Sequence, residues 1–158
     1  MSSEAKPSAR SKVRRSSFSQ EQEALISLFK AAGRVRRRFR GTLEFDGLTE
    51  SQYNVLRILR GARGPLPIMT IRDRMMDPEP SITRLVDKLE KRGLVQRNRC
   101  TDDRRRIDCC LTAEGLDLVN SLDKPVDLMD REVMGGFTKA ELRSMIDLLG
   151  RVGVQHHP

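Results

Sequence analysis

The stretch RNRCTDDRRRIDCCLT, residues 97–112, sets Asp102 and Asp103 against Arg104, Arg105 and Arg106, with Arg97 and Arg99 just before them. Guanidinium groups stay charged at physiological pH and present a planar fork of donors. They suit phosphate or the edge of a guanine rather than proton transfer. A second cluster, Ser81, Thr83, Arg84 and Lys88, offers two hydroxyls and two cations at helical spacing. Cys100 adjoins Arg99, where positive charge can lower a thiol pKa, so oxidation there is a further chemistry the sequence allows. Catalytic sets are missing. There is no Gly-rich phosphate loop and no Ser/His/Asp arrangement, His156 and His157 are adjacent at the C-terminal end, and Cys100, Cys109 and Cys110 form no C-x-x-C. The expectation is neither an enzyme nor a metal site, and no cofactor.

The bulk properties agree with a polyanionic partner. Among 158 residues, 30 Lys and Arg face 22 Asp and Glu, a formal charge of +8. Such a balance favours nucleic acid or an acidic membrane surface without choosing between them. No apolar run reaches the ~18 residues of a membrane span, and the polar, basic start MSSEAKPSARSKVRRSSFSQ has no secretory character. Residues 1–16 hold five basic groups and one acid, net +4, and read as a solvated tail or a DNA-tracking arm. The cysteine usage points to the reducing cytoplasm.

Local signals then lay out the elements that must position these clusters. From Ser19 to about Phe45, Leu25, Leu28, Ala32, Val35 and Phe39 form one apolar helix face. Leu48-Thr49 opens a second helix, with Thr49 and Gln52 as a capping box, Leu48 set to staple onto Tyr53, and Gly61 at its end. Arg63–Pro67 reads as a connection, and a short helix follows with Ile68, Ile71 and Met75 on one side. Asp77 is placed to cap a helix over Pro80–Arg92, in which Ile82, Leu85, Val86 and Leu89 point inward. Ser81, Thr83, Arg84, Asp87, Lys88 and Lys91 are left outside, and Gly93 stops it. A hairpin comes next: Val95 and Gln96 start one strand, and on the other Ile107, Cys109 and Leu111 alternate inward with Asp108 and Cys110 outward. Thr112 caps a long helix carrying Val119, Leu122, Val126, Met129 and Val133, which Pro125 should kink before Gly135-Gly136 ends it. Thr138 and Glu141 cap a last helix with Leu142, Met145, Ile146, Leu149 and Val152.

Two helices joined by a short Pro-containing turn, followed by a β-ribbon, describe a winged helix-turn-helix. The fold class expected is mainly α with a small β-ribbon. The layout is a basic tail over 1–18, an N-terminal helix over 19–47, a winged-helix lobe over 48–112, C-terminal helices over 113–152 and a tail over 153–158. Leu25, Leu28 and Val35 at one end of the chain, with Leu142, Ile146 and Leu149 at the other, are more terminal apolar surface than a lobe of ~65 residues can use, which favours a homodimer. Packing of the terminal helices on each other within one chain is the alternative. The recognition helix should enter the major groove with Ser81, Thr83 and Arg84. Arg84 is the candidate for a guanine, Ser81 and Thr83 for phosphate, and Lys88 lies a turn later near the backbone.

The segments LTESQYNVLRIL, PSITRLVDKLEKRGLVQR, DDRRRIDCCLTAEG and FTKAELRSMIDLL resemble the MarR family of bacterial winged-helix regulators, over roughly Leu48 to Leu149. The resemblance implies a dimer that binds pseudo-palindromic duplex DNA, usually a repressor relieved by a small ligand or by oxidation. It also implies that Asp102 and Arg104 are the family's Asp-x-Arg pair, the acid orienting an arginine that enters the minor groove. Pre-organisation by the carboxylate would lower the entropy that arginine loses on binding. Arg105, Arg106, Arg97 and Arg99 would add phosphate contacts. The implied effector is a small aromatic or phenolic compound, though no residue set for it can be read from the sequence. The first helix has no cysteine, so the family's peroxide sensing there does not carry over. Three other readings stay open: redox control through Cys100, a winged helix used for protein contacts, and RNA or structure-nonspecific nucleic-acid binding.

Overall fold

The computed structural model describes residues 18–44, 46–62, 64–77, 80–99 and 107–154. The chain forms two units, residues 1–34 and 35–158. Helix α1, Gln20–Glu44, crosses that boundary. At its end, Gly47 takes a positive φ of 61°, which lets Leu48 N–H reach Leu43 O (3.4 Å) and Gly47 N–H reach Glu44 O (3.1 Å). This closes the helix in a Schellman turn. Helix α2, Glu50–Arg60, starts with the expected reciprocal capping box of Thr49 and Gln52 and buries Tyr53, Val55, Leu56 and Leu59.

The connection after α2 is more ordered than the sequence suggests. Leu66–Pro67 is a short strand, β1, followed by α3, Ile68–Asp73. With β2, Val95–Arg99, and β3, Ile107–Leu111, it forms an antiparallel sheet in the order β1-β3-β2. The ribbon is therefore three-stranded, with Leu66 opposite Cys109 and Pro67 opposite Asp108. Proline is tolerated because β1 is an edge strand.

Burial along β3 departs from the expected alternation at its first two residues. Ile107 is exposed and Asp108 buried. β1 reaches only as far as Asp108, leaving Ile107 beyond its cover, whereas Asp108 is flanked by Pro67 on one side and Asn98 on the other. Helix α4 runs over Ile82–Lys91 rather than from Pro80. Asp77 does not cap it: its carboxylate accepts a hydrogen bond from Arg36 of α1, and Ser81 occupies the N-cap without a side-chain cap bond.

Pro125 breaks the next helix instead of kinking it. α5, Ala113–Ser121, and α6, Asp123–Met134, meet at Leu122, so Pro125 falls in the first turn of α6, where a missing amide leaves no bond unmade. Arg60 holds this junction, donating to both Asp123 carboxylate oxygens (2.8 and 2.9 Å) and to Asn120 Oδ1 (3.0 Å). The last helix, α7, Lys139–Gly150, begins with the Thr138–Glu141 capping box and buries no residue. The core lies among α2, α3, α4, α5 and the sheet, with Val55, Leu56, Ile71, Val86, Leu89, Val119 and Cys109 fully covered.

Candidate nucleic-acid interface

Helix α4 owes its orientation to its two faces. Ile82, Val86 and Leu89 are buried and Leu85 is partly buried, each fully covered side chain contributing roughly 1.5–3 kcal/mol. Thr83, Arg84 and Lys88 are exposed on the opposite side, with Ser81 exposed at the N-cap. Among the described residues no salt bridge involves Arg84 or Lys88. Both charges are therefore open to an external anion. The Ser81 hydroxyl is unused in capping, so the first amides of α4 and that hydroxyl form a donor group at the positive end of the helix dipole.

Both ends of α4 are tied to the scaffold. At the C-terminal end, Arg92 donates to Gly47 O (2.7 Å) and Asp46 O (3.0 Å) in the α1–α2 turn. Gly93 at φ 71° allows Leu94 N–H to reach Leu89 O (3.0 Å), turning the chain directly into β2. Thr112 secures that turn from the far strand, its hydroxyl donating to Gly93 O (2.6 Å) and its amide to Leu94 O (3.2 Å). Toward the other end, Arg97 of β2 donates to Asp87 and to Thr83 O (3.2 Å). Arg97, expected to add a phosphate contact, is held against α4 by these bonds. Asp87, expected outside, is correspondingly half-buried.

The sheet's other face carries Gln96 and Asn98, which donate to Cys110 Sγ (3.2 and 3.6 Å). Cys109 on the inner face is buried, and burial pushes its thiol up to about 11. Arg99 pairs with Ile107 at the end of the ladder. Cys100, Asp102, Arg104, Arg105 and Arg106 lie outside the described residues.

A cavity of about 350 Å³ opens between the second half of α1, α2, the turn after α3, and α6. Phe39, Met75 and Met129 supply its apolar lining; Arg36, Arg57 and Asn54, with the acids Glu50, Asp77 and Asp130, supply polar groups. Phe39 meets Tyr53 edge-on at 5.5 Å, and the Arg57 guanidinium lies 5.9 Å from the Tyr53 ring centre. Buried Asn54 accepts from the Met76 amide (3.0 Å), fixing the turn that leads to α4. Sequence reasoning missed this site because its walls come from four separated segments; Asn54 on the otherwise apolar face of α2 was its one visible sign.

Leu25, Ile146 and Leu149 are exposed, and Leu28, Val35 and Leu142 are partly covered.

A recognition-type helix with an open cationic face, backed by a three-stranded β-ribbon, defines a winged-helix DNA-binding protein. Comparison with known proteins agrees. The MarR family model matches residues 48–107. The regulator FarR of Neisseria gonorrhoeae, an HTH-type transcriptional regulator, is 31% identical over 102 residues, 65% of this chain and 69% of its own length. The homoprotocatechuate degradative operon repressor of Escherichia coli is 29% identical over 127 residues, 78% and 83% of the two chains. The crystal structure of a MarR transcription factor from Planctomyces limnophilus superposes with a TM-score of 0.66 at 33% identity, covering 85% of this chain and 98% of that one. The chain belongs to the MarR family and is a DNA-binding transcriptional regulator, not an enzyme. Among the described residues, no helix is long and apolar enough to cross a membrane.

Proposed function

We propose that the protein binds a pseudo-palindromic duplex operator in the cytoplasm as a homodimer, and that a small ligand relieves repression. The observation that carries this reading is the exposed pair Arg84 and Lys88 on α4, free of acids among the described residues and backed by the sheet. Arg84 grips a guanine through O6 and N7. Ser81, Thr83 and Lys88 bond the phosphate backbone and set the register. Arg104, oriented by Asp102, enters the minor groove, with Arg105 and Arg106 on adjacent phosphates.

Two half-sites about 34 Å apart need two lobes. The apolar surface left open on α1 and α7 supports a second copy as the source of the other lobe: Leu25, Ile146 and Leu149 are all exposed. A repressor sense is supported by the name of the E. coli relative. The cavity beside Phe39 and Met129 suits a small aromatic or phenolic effector, whose acid group Arg57 would meet.

Competition fluorescence anisotropy at fixed salt tests the reading, with labelled duplex from upstream of the protein's own gene and random duplex as competitor. Wild type is expected to prefer the specific duplex by about ten-fold or more. Arg84→Ala and Arg104→Ala should each remove most of that preference with the fold intact. Unchanged operator affinity in Arg104→Ala sinks the minor-groove assignment, and equal affinity for single strands argues against duplex readout.

A further inference from the structure

We infer that Arg97 is a positioning residue for DNA readout: it sets the rotation of the recognition helix relative to the wing, although it does not itself touch DNA. The inference rests on the DNA-binding surface proposed above. The Arg97 side chain is only 19% exposed; the residue pairs in register with Cys109 of β3, and its side chain packs against α4. From there it meets α4 at three successive points. Its Nη2 donates to the Thr83 carbonyl at 3.2 Å and to the Asp87 carboxylate, and its Nε lies 3.6 Å from Glu90 Oε2.

Residues 83, 87 and 90 form one stripe of the helix. Arg84 and Lys88 follow Thr83 and Asp87 by one residue each, so their stripe is turned from it by about 100°. The apolar residues of α4 hold it against the core but resist rolling weakly, because hydrophobic contact is non-directional. A guanidinium nitrogen that donates to both a carbonyl and a carboxylate is directional. Arg97 also lies two residues before Arg99, the last residue of β2, from which the chain continues to Arg104. One side chain thus links the helix assigned to the major groove with the strand that leads to the minor-groove arginine.

Three variants test this in the anisotropy assay, with random duplex as the non-specific reference. Arg97→Gln should reduce the preference for the specific duplex by about ten-fold. It should leave the slope of log affinity against log salt unchanged, because Arg97 already has carboxylate neighbours. Arg97→Lys keeps the charge without the fork and should restore only part of the preference. Asp87→Asn gives the opposing readout and, being nearly isosteric at a half-buried side chain, carries the test if Arg97→Gln fails to fold. If Asp87 only repels DNA, its loss tightens binding to both duplexes and leaves the preference intact; if it holds Arg97, the preference falls. A slope reduced by about one in Arg97→Gln would make Arg97 a phosphate contact and overturn the inference. An undiminished preference in Arg97→Gln or Asp87→Asn overturns it as well. Absence of preference in wild type would instead refute the DNA-readout assignment.

Discussion

Arg84, Lys88 and Arg97 sit within fifteen residues of one another, and their surroundings sort them by task. Exposed Lys88, with no acid partner among the described residues, keeps its charge available. Lys88→Ala should weaken binding to every duplex sequence similarly and reduce the salt slope by about one; titrations at several salt concentrations check this, and an unaltered slope rules out the phosphate role. Cys109 gives a residue-scale prediction of a different kind. Its thiol titrates near 11 in the folded protein against an ordinary value of 9.0. The folded state thus holds its proton more tightly, and this contribution to stability is complete below pH 9 and falls as pH rises toward 11, by at most about 2–3 kcal/mol. Cys109→Val should flatten that alkaline decline. Urea midpoints from pH 8 to 10.5 in wild type and variant measure it, and parallel declines would reject the assignment.

The helix–strand turn at Gly93-Leu94 shows how elements constrain one another. A Cβ added at Gly115 would stand 1.9 Å from the Leu94 carbonyl oxygen, a backbone atom already accepting from Thr112. Gly115→Ala should therefore cost about 3–5 kcal/mol, read as a lowered urea midpoint; a loss below ~1 kcal/mol would mean the α5–turn contact is loose. Local chemistry made much of this architecture legible. Thr49 with Gln52, Thr138 with Glu141, Gly93, and Gly135 after α6 all work through neighbours within a few residues. What the sequence hid was long-range. Asp77 looks like a cap until Arg36, 41 residues away, competes for it. Leu66–Pro67 is too short to announce a strand, since its partner lies beyond α4 and β2. Pro125 signalled a disturbance, but the break falls at Leu122, where Arg60 can hold both sides. In the candidate site, the open face of α4 was legible from its period, whereas the Arg97–Asp87 bond required knowing that β2 lies alongside that helix.

For the whole molecule, the decisive feature is a terminal helix with no interior of its own. Ile146 is 68% exposed, and α7 buries none of its residues. Ile146→Glu should convert a dimer to monomers in sedimentation experiments and reduce operator affinity by about 10²-fold or more through loss of the second lobe. The thermal midpoint of wild type should rise with protein concentration; a concentration-independent midpoint together with a monomeric mass would discard the homodimer. The buried sulfur of β3 has one more use. With Cys100 and Cys110 replaced by serine, Cys109 would be the chain's single thiol, enclosed by the strand at the centre of the sheet. Its reaction with a thiol reagent would then act as a stopwatch for opening of the DNA-binding lobe: the slower the label arrives, the longer the lobe has stayed shut.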